Sequence, residues 1–156
     1  MSLNDHDTLV KAIVAILSAY GFEVQFTIKG KKTEKIKIIG DSDLHYYPDV
    51  IAKKGLTTLV GDIRTRGQRG TKDEIDRGVI QFLQAELDDW VACLKRPHGM
   101  VITPHGADKD AIILAKHFGI YIVTLPMDVA RTIANLDVVS QREQIVDLAR
   151  KNDVLF

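Results

Sequence analysis

The chain has 156 residues, and its 21 basic and 21 acidic side chains give it a formal net charge of zero. A chain of this length can bury a sizeable core without disulfide or metal cross-links. Its neutrality excludes a general electrostatic attraction to nucleic acid. Its single cysteine, Cys93, excludes an intramolecular disulfide and a cysteine-based zinc site.

No targeting or membrane-crossing segment is predicted. The first residues include Asp5 and Asp7, whereas a signal peptide would be basic there. No apolar run approaches the ~20 residues of a helical membrane span. We therefore expect a cytoplasmic protein without a membrane partner.

The first half of the chain alternates between helical and strand-like patterns. Apolar residues at helical spacing between the capping candidates Asn4 and Asp5 and the stop at Gly21 predict a first helix. Strands are predicted at 22–28 and 35–39, joined by a lysine-rich turn, and an irregular polar stretch follows at 40–45.

The next two strands are predicted to form a tight hairpin. Residues 47–54 and 57–64 have strand patterns, and only Gly55-Leu56 separates them, which suits a two-residue turn. With Lys54 opposite Thr57, this register places Asp49 opposite Asp62 on one face, with Cβ atoms ~4.5–5.5 Å apart.

Two carboxylates this close repel each other unless a cation lies between them, so the pair predicts a site for a divalent metal ion. Arg64, two residues past Asp62, is expected on the same face of the strand. The alternative is structural: Asp49 as a strand-entry turn residue, Asp62 as a loop cap, and Asp62–Arg64 as a surface ion pair.

The second half of the chain predicts a long helix at 72–94, a strand at 99–103, a helix at 108–118 capped by Gly119, and a strand at 120–125. The last three form a β-α-β unit with parallel strands. The tail from Pro126 is predicted to be helical, with a break at 135–139 and a capping box from Ser140 to Glu143. Its apolar residues are expected either to pack within the fold or to form a dimer contact.

Pro48-Asp49, twelve intervening residues and then Asp62-Ile63-Arg64 resemble the signature of the PD-(D/E)xK nuclease superfamily. The apolar runs at 99–104 and 119–124 are similar to the closing unit of Mrr-type restriction endonucleases. The opening helix with residues 21–24 looks like that of archaeal Holliday junction resolvases. The resemblance implies an α/β restriction endonuclease-like fold with a central mixed sheet flanked by helices. We expect residues 1–156 to form one domain, with a core at about 5–125 and extra C-terminal helices at about 126–156.

The resemblance also implies a metal-dependent endonuclease or resolvase that hydrolyses DNA, or less often RNA. Asp49 and Asp62 would hold Mg²⁺ or Mn²⁺, with the backbone carbonyl of Ile63 as a third ligand. A homodimer is expected, since cutting two strands requires two sites. Arg64 stands where the family usually has lysine. Its guanidinium can stabilise developing charge but cannot act as a base, so Lys72 is a candidate compensating lysine. The alternative is a catalytically inactive nuclease-fold protein that binds nucleic acid or a partner subunit.

Two basic segments are candidate contacts to the nucleic-acid backbone. The loop at 64–72 lacks the spacing of a nucleotide-binding motif. It fits better as a phosphate contact through Arg66, Arg69 and Lys72. Lys31 and Lys32, in the lysine-rich turn, are further candidates. The alternatives are a solvated loop and turn or, ranked below them, a nucleotide-binding module.

Overall fold

The computed structural model describes residues 4–28, 36–67, 70, 72–90, 97–154 and 156. The helices in this part of the chain are α1 (Asp5–Ala19), α2 (Arg77–Asp88), α3 (Lys109–Phe118), α4 (Met127–Ala134) and α5 (Arg142–Lys151). The strands are β1 (Glu23–Phe26), β2 (Ile38–Ile39), β3 (His45–Tyr46), β4 (Val50–Lys54), β5 (Thr57–Ile63), β6 (His98–Thr103) and β7 (Tyr121–Thr124).

A mixed five-stranded sheet forms the centre of the molecule, in the order β1-β4-β5-β6-β7. The β1–β4 and β4–β5 pairs are antiparallel, and β5–β6 and β6–β7 are parallel. The parallel β6-α3-β7 unit was predicted, because two strands separated by one helix must run in the same direction. The α/β fold with helices flanking a mixed sheet is confirmed, and it is compatible with a restriction endonuclease-like fold.

Each face of the sheet is covered by its own hydrophobic cluster. Helices α1, α4 and α5 pack on one face, against strand residues such as Leu59 and Ile63. Helices α2 and α3 pack on the other, against Val60 and Val101. Because side chains alternate along a strand, Asp62 shares the α2 face of β5 with Val60.

The hairpin forms in the predicted register, from Lys54 opposite Thr57 to Val50 opposite Gly61. Gly55 has φ 60°, a left-handed conformation that the tight turn requires. The ladder then stops one position early, so the predicted Asp49–Asp62 ladder pair does not form. The N–H of Asp49 donates to the Gly61 carbonyl at 3.1 Å, and the Asp49 carboxylate accepts the Ile63 N–H at 2.9 Å. The Asp49 carboxylate thus accepts a hydrogen bond in place of a backbone carbonyl of the β4–β5 ladder.

The predicted bounds of the long helix, 72–94, are wrong at both ends. It begins at Arg77 because the side chain of Asp76 caps it, accepting the Val79 N–H, and because Ile75 forms a parallel bridge with Ala107 instead. It ends at Asp88. Lys72 therefore lies in an exposed loop rather than at a helix start. Cys93 and the rest of 91–96 lie outside the described residues.

The short strands also differ from expectation. Strand β2 covers only the end of the predicted 35–39 segment, and it pairs with β3, which lies where an irregular stretch was predicted. These two-residue strands form a separate small sheet. The lysine-rich turn at 29–35 lies outside the described residues.

The C-terminal helices pack within the fold. Ile133 of α4 and Ile145 of α5 are fully buried in the cluster that contains α1. The predicted capping box is wrong, because the Ser140 hydroxyl donates to Asp137 and α5 begins after Gln141 without a side-chain cap. Over the residues described above, none of the helices has the length and apolarity needed to cross a bilayer.

Candidate active site

Several titratable side chains lie together at the open end of the β4–β5 hairpin. A cavity of about 400 Å³ opens there, between the end of β5, the segment leading into β4, strand β3 and helix α2. It is lined by Thr27, Ile36, His45, Tyr46, Tyr47, Pro48, Asp49, Asp62, Ile63, Arg64, Phe82 and Glu86. The predicted Asp49, Asp62, Ile63 and Arg64 thus line one space, although Asp49 and Asp62 are not a ladder pair.

Asp49 is held through both carboxylate oxygens. Its Oδ2 accepts the N–H of Ile63 at 2.9 Å, and its Oδ1 lies 3.2 Å from Nε2 of His6, in the first turn of α1. The other ring nitrogen of His6 lies 3.3 Å from Oδ1 of Asp7, a carboxylate with only 1% exposure. Helix α1 therefore brings His6 beside Asp49, and Asp7 is a buried neighbour of His6.

Asp62 has an unfavourable environment for a charge. Burial and the negative charge of Asp49 together raise its pKa to about 6, and the nearby Arg64 opposes the shift. A positive charge beside Asp62 would favour its ionised form.

Arg64 provides part of that positive charge. Its guanidinium lies over the ring of Phe82, 5.5 Å from the centroid, and its backbone N–H donates to the Ile102 carbonyl at 2.9 Å. The aromatic face and the parallel strand together fix the direction of the side chain. Its predicted position on the face of Asp62 agrees with both lining the cavity.

Glu86 also belongs to the site, although it was not predicted from the sequence. This α2 residue is 2% exposed, and within the described parts of the chain no hydrogen bond or ion pair reaches its carboxylate. Burial, together with the charge of Asp62, raises its pKa to about 8, against the opposing effect of Arg64. The signal was present: Val79, Leu83 and Glu86 follow helical spacing, which places a carboxylate on the buried stripe.

His6 was not predicted from the sequence to be a site residue either. It precedes Leu9, Val10 and Ile13 at helical spacing, so its side chain points along the packed face of α1. No pattern within the helix indicates that this face meets the start of β4.

The predicted nucleic-acid contacts lie outside the cavity or outside the described residues. Arg66 and Lys72 are exposed and do not line the cavity. Arg69, Lys31 and Lys32 lie outside the described residues. Lys72 is not in the cavity, so nothing in its position supports the role of a compensating lysine.

The donor set fits one kind of metal site. Among the described residues, no group of three or more His, Cys, Asp or Glu side chains is arranged to hold a metal ion. A closed structural zinc site uses four protein ligands. Mg²⁺ differs, because it keeps several waters and commonly needs only one or two carboxylates. Such a cation would offset the effect of the Asp49 charge on the ionisation of Asp62.

No protein-family model matches the sequence, and no curated protein does either. Solved structures do match. AF1548, a protein of unknown function, aligns with a TM-score of 0.59 and 12% identity over 92% of this chain and 96% of its own. VC1899 from Vibrio cholerae aligns with a TM-score of 0.52 and 12% identity over 90% of this chain and 33% of its own. These two matches show a shared fold. The apo form of EndoMS matches weakly, with a TM-score of 0.41 and 14% identity over 68% of this chain and 38% of its own.

Proposed function

We propose that this chain is a metal-dependent endonuclease that hydrolyses phosphodiester bonds of DNA. The observation that carries the proposal is the convergence of Asp49, Asp62 and Arg64 on one cavity at the end of a strand hairpin. Phosphodiester hydrolysis needs oxygen ligands for a hard cation and a positive group near the charge that develops on the phosphate. These three side chains supply both.

Asp49 and Asp62 would hold Mg²⁺ or Mn²⁺, with the carbonyl of Ile63 as a further oxygen donor. When bound, such a cation supplies charge neutralisation and Lewis-acid activation of the phosphate and of water. The Ile63 N–H already orients the Asp49 carboxylate through a hydrogen bond, and His6 lies beside its other oxygen.

Arg64 would bind the phosphate and stabilise the negative charge that builds up during hydrolysis. Its guanidinium keeps its charge at all relevant pH values, so it cannot take a proton from water. The stacking on Phe82 restricts the guanidinium to the cavity, which reduces the entropy lost when it binds an anion.

A second candidate is a nuclease-fold protein that binds nucleic acid or a partner subunit without cutting. The observation that favours it is Arg64 itself, which occupies the position where the superfamily resembled by this chain usually has lysine. Arginine can serve in binding as well as in charge stabilisation, but it cannot replace a lysine that gives up a proton.

Cleavage assays separate the two candidates. Branched, single-stranded and plasmid DNA would be incubated with the protein in Mg²⁺, Mn²⁺ or EDTA. We expect metal-dependent cutting that Asp49→Asn and Asp62→Asn each lower by about 100-fold or more. Asp110→Asn, which alters an exposed carboxylate on α3, is the matched control and should cut normally. DNA binding without any cutting that depends on Asp49 would favour the second candidate.

A further inference from the structure

Three aromatic rings line the cavity. Tyr46, Tyr47 and Phe82, called the aromatic wall below, line the same space as Asp49 and Asp62. Tyr47 is 55% exposed and Phe82 is 49% exposed. Large exposed rings beside a polar site indicate a ligand with an apolar surface of its own, because the rings bury area only when that ligand is bound.

The aromatic wall is held in place before a ligand binds. Asp89, which follows α2, accepts the Tyr46 hydroxyl at 2.8 Å and the Ser42 N–H at 2.8 Å. The Ser42 hydroxyl also donates to Asp89, and the Asp41 N–H donates to the Asp89 carbonyl at 2.9 Å. The segment that carries the two tyrosines is therefore tied to the end of the helix that carries Phe82. A fixed wall loses little conformational entropy on binding.

The charge around the cavity limits what a phosphate backbone alone can contribute. Asp49, Asp62 and Glu86 line it together with one arginine, and the whole chain has no net positive charge. Backbone phosphates provide most of the affinity for DNA in strongly basic proteins. Here another source of affinity is needed, and aromatic rings supply it by stacking on bases of any sequence.

We propose that the aromatic wall binds an unpaired nucleobase beside the scissile phosphodiester, so that the substrate is single-stranded or locally unpaired nucleic acid. This inference rests on the proposed phosphodiester chemistry at Asp49 and Asp62. In an intact duplex the base faces are covered by their neighbours, so a ring can stack only on a base that has left the helix. The cavity volume of about 400 Å³ lies within the range for small-ligand pockets.

Tyr47 is the ring that carries the stacking. One face of Phe82 lies against Arg64, and the hydroxyl of Tyr46 is engaged by Asp89. Tyr47 is the most exposed of the three and has no such contact among the described residues. Arg64, stacked on Phe82, is then positioned to meet the phosphate next to the base.

Binding assays with abasic DNA isolate the base contact. A fluorescent single strand of about 12 nucleotides would be compared with a strand of equal length whose bases are replaced by abasic sites, both by anisotropy in Ca²⁺. The two strands carry the same phosphate charge. We expect the protein to bind the normal strand about tenfold more tightly than the abasic strand, and more tightly than a blunt duplex.

Variants test whether the aromatic wall makes this contact with the base. Tyr47→Ala should weaken binding of the normal strand by about tenfold and leave binding of the abasic strand unchanged. Tyr47→Phe, which keeps the ring, should bind as the unmodified protein does. Tyr121→Ala, which removes an exposed tyrosine of β7 away from the cavity, is the matched control and should also leave binding unchanged. Thermal melts check that each variant is folded.

Equal binding of the normal and abasic strands would overturn the inference, as would no binding of either strand or an equal loss on both with Tyr47→Ala. Metal-dependent cutting of DNA without any dependence of binding on the bases would contradict the proposed base site but support the proposed endonuclease. Base-dependent binding with no cutting would support the base site and contradict the endonuclease.

Discussion

At the scale of single residues, the site concentrates carboxylates where solvent cannot fully stabilise them. Burial raises the pKa of Asp62 to about 6 and that of Glu86 to about 8, and the charges of neighbouring carboxylates add to both shifts. Arg64 opposes these shifts. Such perturbed groups lower stability, and they cluster at functional sites because function requires them there.

Arg64→Ala tests the role of that arginine. We expect the rate of DNA cleavage at saturating substrate to fall by about 100-fold, because the charge that stabilises the developing anion is lost. Single-turnover kinetics would measure it. Arg66→Ala is the matched control, since Arg66 is exposed and does not line the cavity. It should lower affinity and the salt dependence of binding but not the saturated rate. Equal effects of the two variants would contradict this role.

Glu86→Gln should stabilise the protein in a pH-dependent way. The pKa of Glu86 is raised from 4.5 to about 8, so the folded state keeps a proton that the unfolded chain loses as pH rises through 4.5. Below that pH the two states bind the proton equally. The native protein therefore loses stability relative to the variant as pH rises from 4.5 to about 8, and the loss then levels off.

The expected gain of Glu86→Gln near pH 8 is about 1–3 kcal/mol in the free energy of unfolding, measured by urea titration in EDTA across that pH range. Glu143→Gln, an exposed glutamate of α5, should show no such pH dependence. An equal gain in stability at pH 4 and pH 8 would contradict the raised pKa of Glu86 in the folded protein.

At the scale of secondary-structure elements, the site depends on how strands and helices end. The ladder between β4 and β5 stops where the Asp49 carboxylate takes the Ile63 N–H, and this leaves space for the cavity. Helix α2 stops at Asp88, and the next residue, Asp89, then accepts hydrogen bonds from the segment that carries β3. At the end of the β4–β5 ladder a side-chain bond replaces a backbone bond, whereas after α2 the Asp89 carboxylate ties the helix end to another segment.

Asp89→Ala should loosen the segment at 40–47 without unfolding the protein. The variant removes the acceptor for Ser42 and Tyr46, so backbone amides there should exchange at least about tenfold faster in hydrogen-exchange measurements. Binding of single-stranded DNA should weaken as well, because the aromatic wall loses its anchor. Asp41→Ala, an exposed neighbour on the same segment, should leave exchange elsewhere in the segment unchanged. Unaltered exchange with Asp89→Ala would show that the segment is held by other contacts.

At the scale of the whole molecule, α1 is packed between the sheet and the C-terminal helices. Its residues Leu9, Ile13 and Ile16 are fully buried in the cluster that includes Ile133 and Ile145. The N-terminal turn of the same helix carries His6 to Asp49. The C-terminal helices thus support the site indirectly, by fixing the helix that brings His6 beside a predicted metal ligand.

Ile145→Ala should lower the free energy of unfolding by about 2–5 kcal/mol, because it leaves a cavity in a closely packed cluster. Chemical denaturation would measure the loss. Val139→Ala changes a 90% exposed residue between α4 and α5 and should alter stability by less than about 0.5 kcal/mol. If the two variants had equal effects, α5 would not be an integral part of the fold.

Much of the fold could be predicted from local patterns. Helix α1, the tight turn at Gly55 and the parallel β6-α3-β7 unit all follow from spacing, turn residues and caps within short stretches of sequence. The errors have two causes: a residue distant along the chain pairs with a backbone group, or a nearby side chain binds a hydroxyl that was expected to cap a helix. Ile75 pairs with Ala107 instead of extending α2, and Asp137 binds the Ser140 hydroxyl that would have capped α5.

From local sequence alone, Asp49, Asp62 and Arg64 can be predicted to lie near one another, because one two-residue turn sets the register of β4 and β5, and these residues lie at or next to the ends of those strands. Only the tertiary structure brought His6, Glu86 and the aromatic wall to the same cavity. These residues come from elements far apart along the chain, and their approach depends on how helices pack on both faces of the sheet. A local pattern can indicate which face of a helix is buried, but packing across the sheet decides what that face meets.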